Sequence, residues 1–388
     1  MKILFVSNYF NHHQKPVSDA IYQRVCHNYT FLETQEMERT RKILGWGEKN
    51  IPRYVCRVWD ADNELHDDIA VQRAVITQAD VVITGSASER LIRNRIKSGK
   101  IVFRYAERPL KNGNSLLRYI PRWIKWHIQN PVNKPVYMLC ASAYTAEDYA
   151  KFGLFRNKTY KWGYFPETKH YDVESLWQKK GTTDILWCGR FLDWKHPDDA
   201  LKVAKRLKEE GYCFRLSFVG TGEMESQLHR MVADSDLDDC VCFLGAKDPQ
   251  KVRDNMEKAG IYLFTSDRKE GWGAVLNEAM NSGCAVVASR DAGATPYLVS
   301  DNENGLIYQS GNVEALYQKV KYLLDHSGEQ KRLGLSAYHT IVDMWNAENA
   351  AARLINLAEY ILAGEESPQI YTDGPCSSAE IINESEFA

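Results

Sequence analysis

Residues 261–288 read IYLFTSDRKEGWGAVLNEAMNSGCAVVA, and this stretch decides the fold. The apolar run 261–265 predicts a buried strand, and a second run at 285–288 predicts another. Helical periodicity at 274–281 lies between the two runs. A strand, a helix and a strand at this spacing indicate a βαβ unit in a parallel sheet.

Short apolar runs alternate with helical patterns on both sides of this unit. The other predicted strands are 2–7, 29–33, 53–58, 80–84, 100–105 and 135–141, followed by 184–188, 213–219, 241–244 and 305–308. The other predicted helices are 16–27, 66–78, 87–98, 197–210, 223–234 and 249–258. Two such series predict an α/β protein with two doubly wound, Rossmann-like domains, each with a crevice at the carboxyl ends of its strands.

The chain of 388 residues is long enough for two domains of roughly 100–200 residues each. The polar stretch 167–183 is the expected linker. It separates an N-terminal domain, 1–166, from a C-terminal domain, 184–364, which includes the terminal helices. The polar residues 365–388 are expected to form a disordered tail.

Composition and charge exclude several classes of protein. The net charge of −2 argues against a general nucleic-acid binder, and the nine cysteines include no C-x-x-C pair that would indicate zinc. The first apolar run is too short for a signal peptide, and no apolar run reaches the ~18 residues of a membrane span. We therefore expect a cytoplasmic protein with free thiols.

A carboxylate stands on each side of a predicted anion site within the opening stretch. Gly271 and Gly273 allow the backbone to approach a ligand closely, and the free amides of residues 273–275 open a helix. Glu270 precedes this helix start, and Glu278 lies about one turn inside the helix. A phosphate flanked by two carboxylates that accept hydroxyl hydrogens matches the layout of a nucleotide sugar.

The same residues resemble the E-x7-E motif of retaining GT-B glycosyltransferases of family 4. The resemblance implies that Glu270 holds the transferred sugar and Glu278 the donor ribose. It also places the donor against the backbone of Gly271, Trp272, Gly273, Ala274 and Val275.

A second motif follows the first predicted strand of the C-terminal domain, where residues 189–195 read GRFLDWK. Departure of a diphosphate builds negative charge that cations stabilise. The stretch resembles the basic pair of the same family, which makes Arg190 and Lys195 the candidate diphosphate ligands. The alternative is that both are solvated loop cations.

Two further turns are candidate donor contacts. Gly220 lies in a turn similar to the glycine-rich turn that the family has at this place. Ala246 and Lys247 end a strand where the family holds the nucleobase through backbone atoms. The alternative for the second turn is an ordinary connection between a strand and a helix.

The N-terminal domain departs from the family pattern. Its first turn, NYFNHHQKP at 8–16, has no glycine, and the expected histidine near residue 105 is missing. His13 and His12 are the candidates for the cleft or the acceptor in the first turn. Arg104 and Glu107 are the candidates at the second position.

Residues 90–134 carry twelve cations and one acid, Glu107. Within them, 114–128 mixes aliphatic, aromatic and cationic side chains at helical spacing. This helix either rests on an anionic membrane or turns its stripe toward the core with a solvated basic back, and nucleic-acid binding is a third alternative.

Together these features predict a retaining glycosyltransferase. The expected donor is a UDP-hexose, and the expected acceptor is a saccharide or lipid-linked saccharide of surface polysaccharide synthesis, with no metal or other cofactor. The rivals are a metal-dependent transferase using Asp60 and Asp62 or Asp234 and Asp236, a nucleotide-sugar epimerase, and a non-catalytic nucleotide-sugar or membrane-binding module.

Overall fold

The computed structural model describes residues 1–38, 47, 50–66 and 68–382. The chain divides into two compact units. Unit 1 comprises Met1–Glu167 together with Ala347–Ala388, and unit 2 comprises Thr168–Asn346.

Within the described residues, unit 1 contains a parallel sheet of seven strands in the order β3-β2-β1-β4-β5-β6-β7. The strands are β1 Ile3–Ser7, β2 Tyr29–Glu33, β3 Val55–Arg57, β4 Val81–Thr84, β5 Val102–Ala106, β6 Val136–Cys140 and β7 Thr159–Lys161. All residues of β1, β4 and β6 are buried, as expected for parallel strands that are covered on both faces. The strand order reverses between β1 and β4, which makes this the topological switch point.

Six helices of unit 1 lie within the described residues. They are α1 Lys15–Val25, α2 Ile69–Gln78, α3 Glu89–Lys97, α4 Leu116–Gln129, α5 Thr145–Ala150 and α14 Ala347–Leu362. The fully buried Arg95 on α3 donates to the backbone oxygens of Ile76, Ala79, Asp80 and Ile101 and so ties α3 to the end of α2.

Unit 2 has a parallel sheet of six strands in the order β10-β9-β8-β11-β12-β13. The strands are β8 Gly181–Cys188, β9 Arg215–Val219, β10 Val241–Phe243, β11 Ala259–Phe264, β12 Ala285–Ser289 and β13 Leu306–Tyr308. The order reverses between β8 and β11, so unit 2 has its own switch point there. The two sheets confirm the predicted α/β class and each predicted strand.

The helices of unit 2 cover both faces of its sheet. They are α6 Val173–Gln178, α7 Pro197–Glu209, α8 Glu225–Asp234, α9 Pro249–Lys258, α10 Ala274–Asn281, α11 Thr295–Leu298, α12 Val313–Asp325 and α13 Ser327–His339. None of the described helices combines the length and the apolar composition needed to cross a bilayer.

The C-terminal helix corrects the predicted domain boundaries. Helix α14 belongs to unit 1, where it packs against α1, and Arg24 donates to the backbone oxygen of Glu348 at 3.2 Å. The predicted linker 167–183 instead contains α6 and the start of β8. A helix with an apolar stripe does not reveal from its own sequence which core it covers.

The prediction of a disordered tail is wrong for residues 365–382. Ser378 forms an antiparallel bridge with Tyr160 of β7, and Cys376, Ser377 and Ala379 are buried in unit 1. Because few of its residues are apolar, the segment is held by backbone hydrogen bonds, such as that from Lys161 to the oxygen of Ser377 at 2.7 Å. Residues 383–388 of the predicted tail lie outside the described residues.

Candidate functional site

Two of the predicted motifs meet at the switch point of unit 2. Strands β8 and β11 are parallel neighbours, with Trp187 paired to Leu263. The stretch 189–195 leaves the carboxyl end of β8, and the stretch 265–270 leaves that of β11. In doubly wound sheets ligands bind at this position, because the loops there diverge and open a crevice.

Hydrogen bonds hold the two loops together. The Thr265 hydroxyl donates to the backbone oxygen of Lys195 at 2.6 Å and accepts from the indole nitrogen of Trp187 at 2.8 Å. The amide of Asp267 donates to the oxygen of Trp194 at 2.9 Å. Sequence reasoning missed Thr265 and Trp187, and only their position at the ends of adjacent strands could have indicated this role.

Glu270 lies within this junction and is only 9% exposed. Its Oε2 accepts from Ser266 Oγ at 3.1 Å and forms an ion pair with Lys195. The Lys195 ammonium also lies 4.6 Å from the centre of the Trp194 ring. Glu270, predicted to hold the sugar, and Lys195, predicted to bind the diphosphate, are therefore joined by an ion pair in the structure.

Helix α10 begins shortly after Glu270, at Ala274, and Gly273 is its N-cap. Gly273 has φ +93°, and a Cβ atom there would lie 2.3 Å from Cζ of Phe264, so two independent constraints require glycine. Among the described residues no side chain caps this helix. The amides of its first turn, which include those of Ala274 and Val275, are thus available to an anion.

The Trp272 side chain does not line this site. It is fully buried, its indole nitrogen donates to Asn277 Oδ1 at 2.8 Å, and its ring packs near Tyr297 and Trp345. The side chain of Trp272 therefore cannot contact a donor here, and the predicted contact of its backbone with the donor stays a prediction. Its role is to anchor the loop, whose backbone is tied to the turn after β12 by a bond from Ala294 to the oxygen of Trp272.

Glu278 is partly buried, and its carboxylate has no hydrogen-bond or ion-pair partner among the described residues. Burial raises the pKa of Glu278, and the positive charges of Arg253 and Lys169 oppose this shift. Asn281, one turn further along α10, accepts from the guanidinium of Arg253 and from the amide of Lys169. A partly buried carboxylate without a partner suits a ligand that supplies hydrogen-bond donors.

Arg190 is exposed after β8, and its guanidinium has no hydrogen bond or ion pair within the described part of the chain. It contrasts with Lys195, whose charge is already paired. The guanidinium of Arg190 is thus available to an anion without breaking an internal contact.

Three turns at the carboxyl ends of β8, β9 and β10 are packed tightly together. A Cβ atom on Gly220 would lie 1.9 Å from the backbone oxygen of Gly189, and the amide of Gly220 donates to the oxygen of Gly245 at 3.0 Å. Packing between turns therefore accounts for Gly220 without a ligand. Ala246 and Lys247 are exposed in the third turn, and their contact with a nucleobase stays a prediction.

In unit 1, three candidate residues gather at the carboxyl edge of the sheet around a tyrosine. The ring of His13 is stacked on Tyr164 with centroids 5.5 Å apart, and it lies 3.8 Å from the ring of His12. Tyr164 donates to Glu107 Oε1 at 2.6 Å. Burial, with the nearby His12, lowers the pKa of His13 to about 3, so its ring is neutral at neutral pH. Tyr164 was missed because it follows β7, a strand that was not predicted.

Arg104 does not belong to this cluster. It is buried and donates to both carboxylate oxygens of Glu89, to Asn130 Oδ1 and to the backbone oxygen of Gln129. The prediction that Arg104 faces the cleft is wrong, because the alternation along β5 turns its side chain toward α3 and α4.

The sequence of unit 2 matches a known family. Residues 172–340 match the family model of the glycosyl transferases group 1. The chain is 29% identical over 180 residues to the amylovoran biosynthesis glycosyltransferase AmsK of Erwinia amylovora, covering 45% of this chain and 44% of that protein. It is 24% identical over 285 residues to the putative colanic acid biosynthesis glycosyltransferase WcaL of Escherichia coli K12, covering 71% and 68%. The chain thus spans less than half of the first of these relatives.

Solved structures resemble both units. The crystal structure of Anabaena Alr3699/HepE in complex with UDP has a TM-score of 0.67 at 15% identity, covering 92% of this chain and all of that one. Sucrose-phosphate synthase from Thermosynechococcus elongatus has a TM-score of 0.65 at 12% identity, covering 94% and all of that chain. At these identities the likeness establishes the fold, which is the GT-B fold.

Proposed function

Because residues 172–340 match the family model of the glycosyl transferases group 1, and because the fold is GT-B, we propose that the protein transfers a sugar from a nucleotide diphosphate to a saccharide acceptor with retention of configuration. One observation carries the proposal. The cation loop after β8 and the carboxylate loop after β11 meet at the switch point of unit 2, beside an uncapped helix start.

The donor binds along this edge of unit 2. Arg190 and the first amides of α10 hold the diphosphate, and Glu278 accepts the ribose hydroxyls. Ala246 and Lys247 border the base. The unpartnered state of Arg190 and Glu278 supports these roles, because neither has to break an internal contact to bind. The UDP complex of the Anabaena protein makes uridine the first nucleotide to test.

The chemistry is a displacement at the anomeric carbon of the donor sugar. The bond from this carbon to the diphosphate breaks while the bond to the acceptor oxygen forms on the same face, and the acceptor proton passes to the departing diphosphate. Lys195 and Arg190 stabilise the charge on the leaving group without a metal ion. Glu270, fixed by Ser266 and Lys195, orients the sugar and faces its developing positive charge.

The acceptor is a saccharide of a surface polysaccharide or its lipid-linked precursor, and the transferred sugar is a hexose. The products named for the Erwinia and Escherichia relatives support this class. The cluster of His13, Tyr164 and Glu107 supplies an aromatic face and a carboxylate, which suit a sugar ring and its hydroxyls.

The test is thermal stabilisation by a panel of nucleoside diphosphates and nucleotide sugars, in the presence of a chelator. We expect one nucleotide series to raise the melting temperature. Glu278→Gln and Arg190→Gln should each weaken binding roughly 10- to 100-fold, as expected for a lost charge-assisted hydrogen bond. The exposed Glu223→Gln and Arg230→Gln in the same unit are the matched controls.

A third variant separates binding from turnover. Glu270→Gln should retain nucleotide binding but lose transfer to a saccharide acceptor. A lack of stabilisation by every nucleotide, or stabilisation that the chelator abolishes, would contradict the proposed donor site.

A further inference from the structure

Helix α4 presents an apolar surface to solvent. Of the 14 exposed large hydrophobic side chains among the described residues, eight lie between 116 and 132. At 3.6 residues per turn, five aliphatic side chains of α4 fall within an arc of about 120°. They are Leu116, Leu117, Ile120, Ile124 and Ile128, with exposures of 93%, 91%, 67%, 49% and 66%.

The opposite side of α4 is attached to unit 1. The Tyr119 ring is stacked on Phe152 with centroids 4.8 Å apart, and the Trp126 ring packs against Phe152 and Tyr149. The Tyr119 hydroxyl also donates to the backbone oxygen of Lys151 at 3.0 Å. The helix is therefore held by its aromatic side chains while its aliphatic arc points away from the core, which corrects the alternative of a core-facing stripe.

Cations border this arc. Arg118, Arg122 and Lys125 occupy the adjoining sector of the helix, and residues 109–134 contain no Asp or Glu. Arg118 and Lys125 have no ion-pair partner among the described residues. In contrast, Arg95, Arg104 and Arg108 of the same basic stretch are buried and bonded inside unit 1, so the surface charge is concentrated on fewer side chains.

We propose that the arc of α4 (Leu116, Leu117, Ile120, Ile124 and Ile128), with its border of Arg118, Arg122 and Lys125, docks on an anionic lipid membrane. The aliphatic side chains enter the boundary between headgroups and acyl chains, and the cations contact lipid phosphates. The helix of 14 residues is about 21 Å long, shorter than the ~30 Å of the hydrocarbon core, so it lies in the interface.

The chemistry of the surface favours a membrane over the other occupants. A second copy of the chain would bring the same cations together across a two-fold axis with no acid to pair them. Single-stranded nucleic acid binds through aromatic side chains that stack on bases. Here the rings of Tyr119 and Trp126 are engaged with unit 1, the half-exposed Trp123 packs on His127 of the same helix, and the exposed arc is aliphatic.

The test is co-sedimentation of the full chain with vesicles of phosphatidylcholine, with and without phosphatidylglycerol, at low and high salt. We expect partition to the anionic vesicles that weakens as salt rises. Ile120→Ser with Ile124→Ser should lower the partition coefficient at least ~10-fold, because two side chains that enter the membrane lose most of their apolar carbons. Arg118→Gln with Lys125→Gln should lower it roughly 30-fold on anionic vesicles.

The matched controls are Leu362→Ser and Arg230→Gln, an exposed leucine at the end of α14 and an exposed arginine on α8, which should leave partition unchanged. All variants should keep the nucleotide-dependent shift in melting temperature, so that a failure of the donor site is distinguishable from a failure of docking. No partition of the unaltered chain to anionic vesicles at low salt would overturn the proposal. A dimer or an RNA complex that the isoleucine variants abolish, without vesicle binding, would assign the arc to that partner and also overturn it.

Discussion

At the scale of single residues, the candidate site retains groups that are costly to the fold. Glu278 is partly buried without a partner, and Gly273 occupies a left-handed conformation that has no room for a side chain. A chain selected only for stability would replace the first with an amide or an apolar residue. Under the proposed function, the bound donor supplies the hydrogen-bond partner that the Glu278 carboxylate lacks.

Glu278→Gln should stabilise the free protein at neutral pH while it weakens nucleotide binding. Burial raises the pKa of Glu278 above its ordinary 4.5, so the folded state binds this proton more tightly than the unfolded state. Ionisation of this carboxylate therefore lowers the free energy of unfolding as the pH rises from about 4.5 through the raised pKa. The gain in melting temperature of the variant should be absent in acid and reach its maximum above that pKa.

Calorimetry of the two proteins across this range, with Glu223→Gln as the control, measures the effect. Nucleotide affinity of the unaltered protein should fall in acid, starting at a higher pH than an ordinary glutamate would give. A gain in stability that is independent of pH would show that the charge of Glu278 is not its cause.

Gly273→Ala should destabilise the protein about 1–3 kcal/mol more than Gly211→Ala does. Both glycines have positive φ, but a Cβ atom on Gly211 meets nothing within 4 Å, whereas one on Gly273 meets the Phe264 ring. Denaturant unfolding of the two variants isolates the steric contribution. Equal losses would mean that the loop before α10 adjusts to the side chain.

At the scale of elements, buried polar contacts join helices to the sheet edges. The guanidinium of Arg95 donates to four backbone oxygens at the end of α2 and just before β4 and β5. Its burial lowers the pKa of Arg95 to about 10, which leaves it charged at neutral pH. The hydrogen bonds therefore offset the desolvation of a charge deep in unit 1.

Arg95→Met should cost at least ~3 kcal/mol of unfolding free energy, because several buried carbonyl groups lose their donor. The exposed Arg93→Met on the same helix is the matched control and should change stability by less than about 0.5 kcal/mol. Urea unfolding measures both. Similar small losses would indicate that water replaces the guanidinium at these carbonyls.

At the scale of the whole molecule, the division of the chain differs from its order along the sequence. Helix α14 follows unit 2 in the chain but completes unit 1. Residues 168–183, which were predicted to lie in a linker, also belong to unit 2. There Leu176 is buried, and the Lys180 ammonium donates to the backbone oxygens of Met256 and Ala259 at 2.7 and 2.9 Å.

A fragment 168–346 should therefore fold cooperatively and bind nucleotide, whereas a fragment 184–364 should be less stable by at least ~3 kcal/mol. The second fragment lacks Leu176 and Lys180 and carries α14 without its partner α1. Thermal unfolding with and without nucleotide compares them. Equal stability of the two fragments would contradict the division between the units.

The strands and most helices could be predicted because their patterns are local. A buried parallel strand is a continuous apolar run, and β1 and β12 show this directly. The short edge strand β7 has too few apolar residues to stand out, and for this reason Tyr164 beside it was missed. In the candidate site, the spacing of Glu270 and Glu278 around two glycines could be predicted from the sequence. The hydrogen bonds of Thr265 and Ser266 that hold the loop could not.

The amino-acid sequence by itself determined the α/β class, the position of the helix start at Gly273 and the order of charged residues around it, because all three depend on spacing over a few residues. Tertiary structure decided that Arg104 and Trp272 are internal, that α14 completes unit 1, and that the aliphatic arc of α4 faces solvent. These properties depend on partners far away in the chain. An apolar or charged side chain shows the kind of contact it needs, but only the folded chain determines which contact it makes.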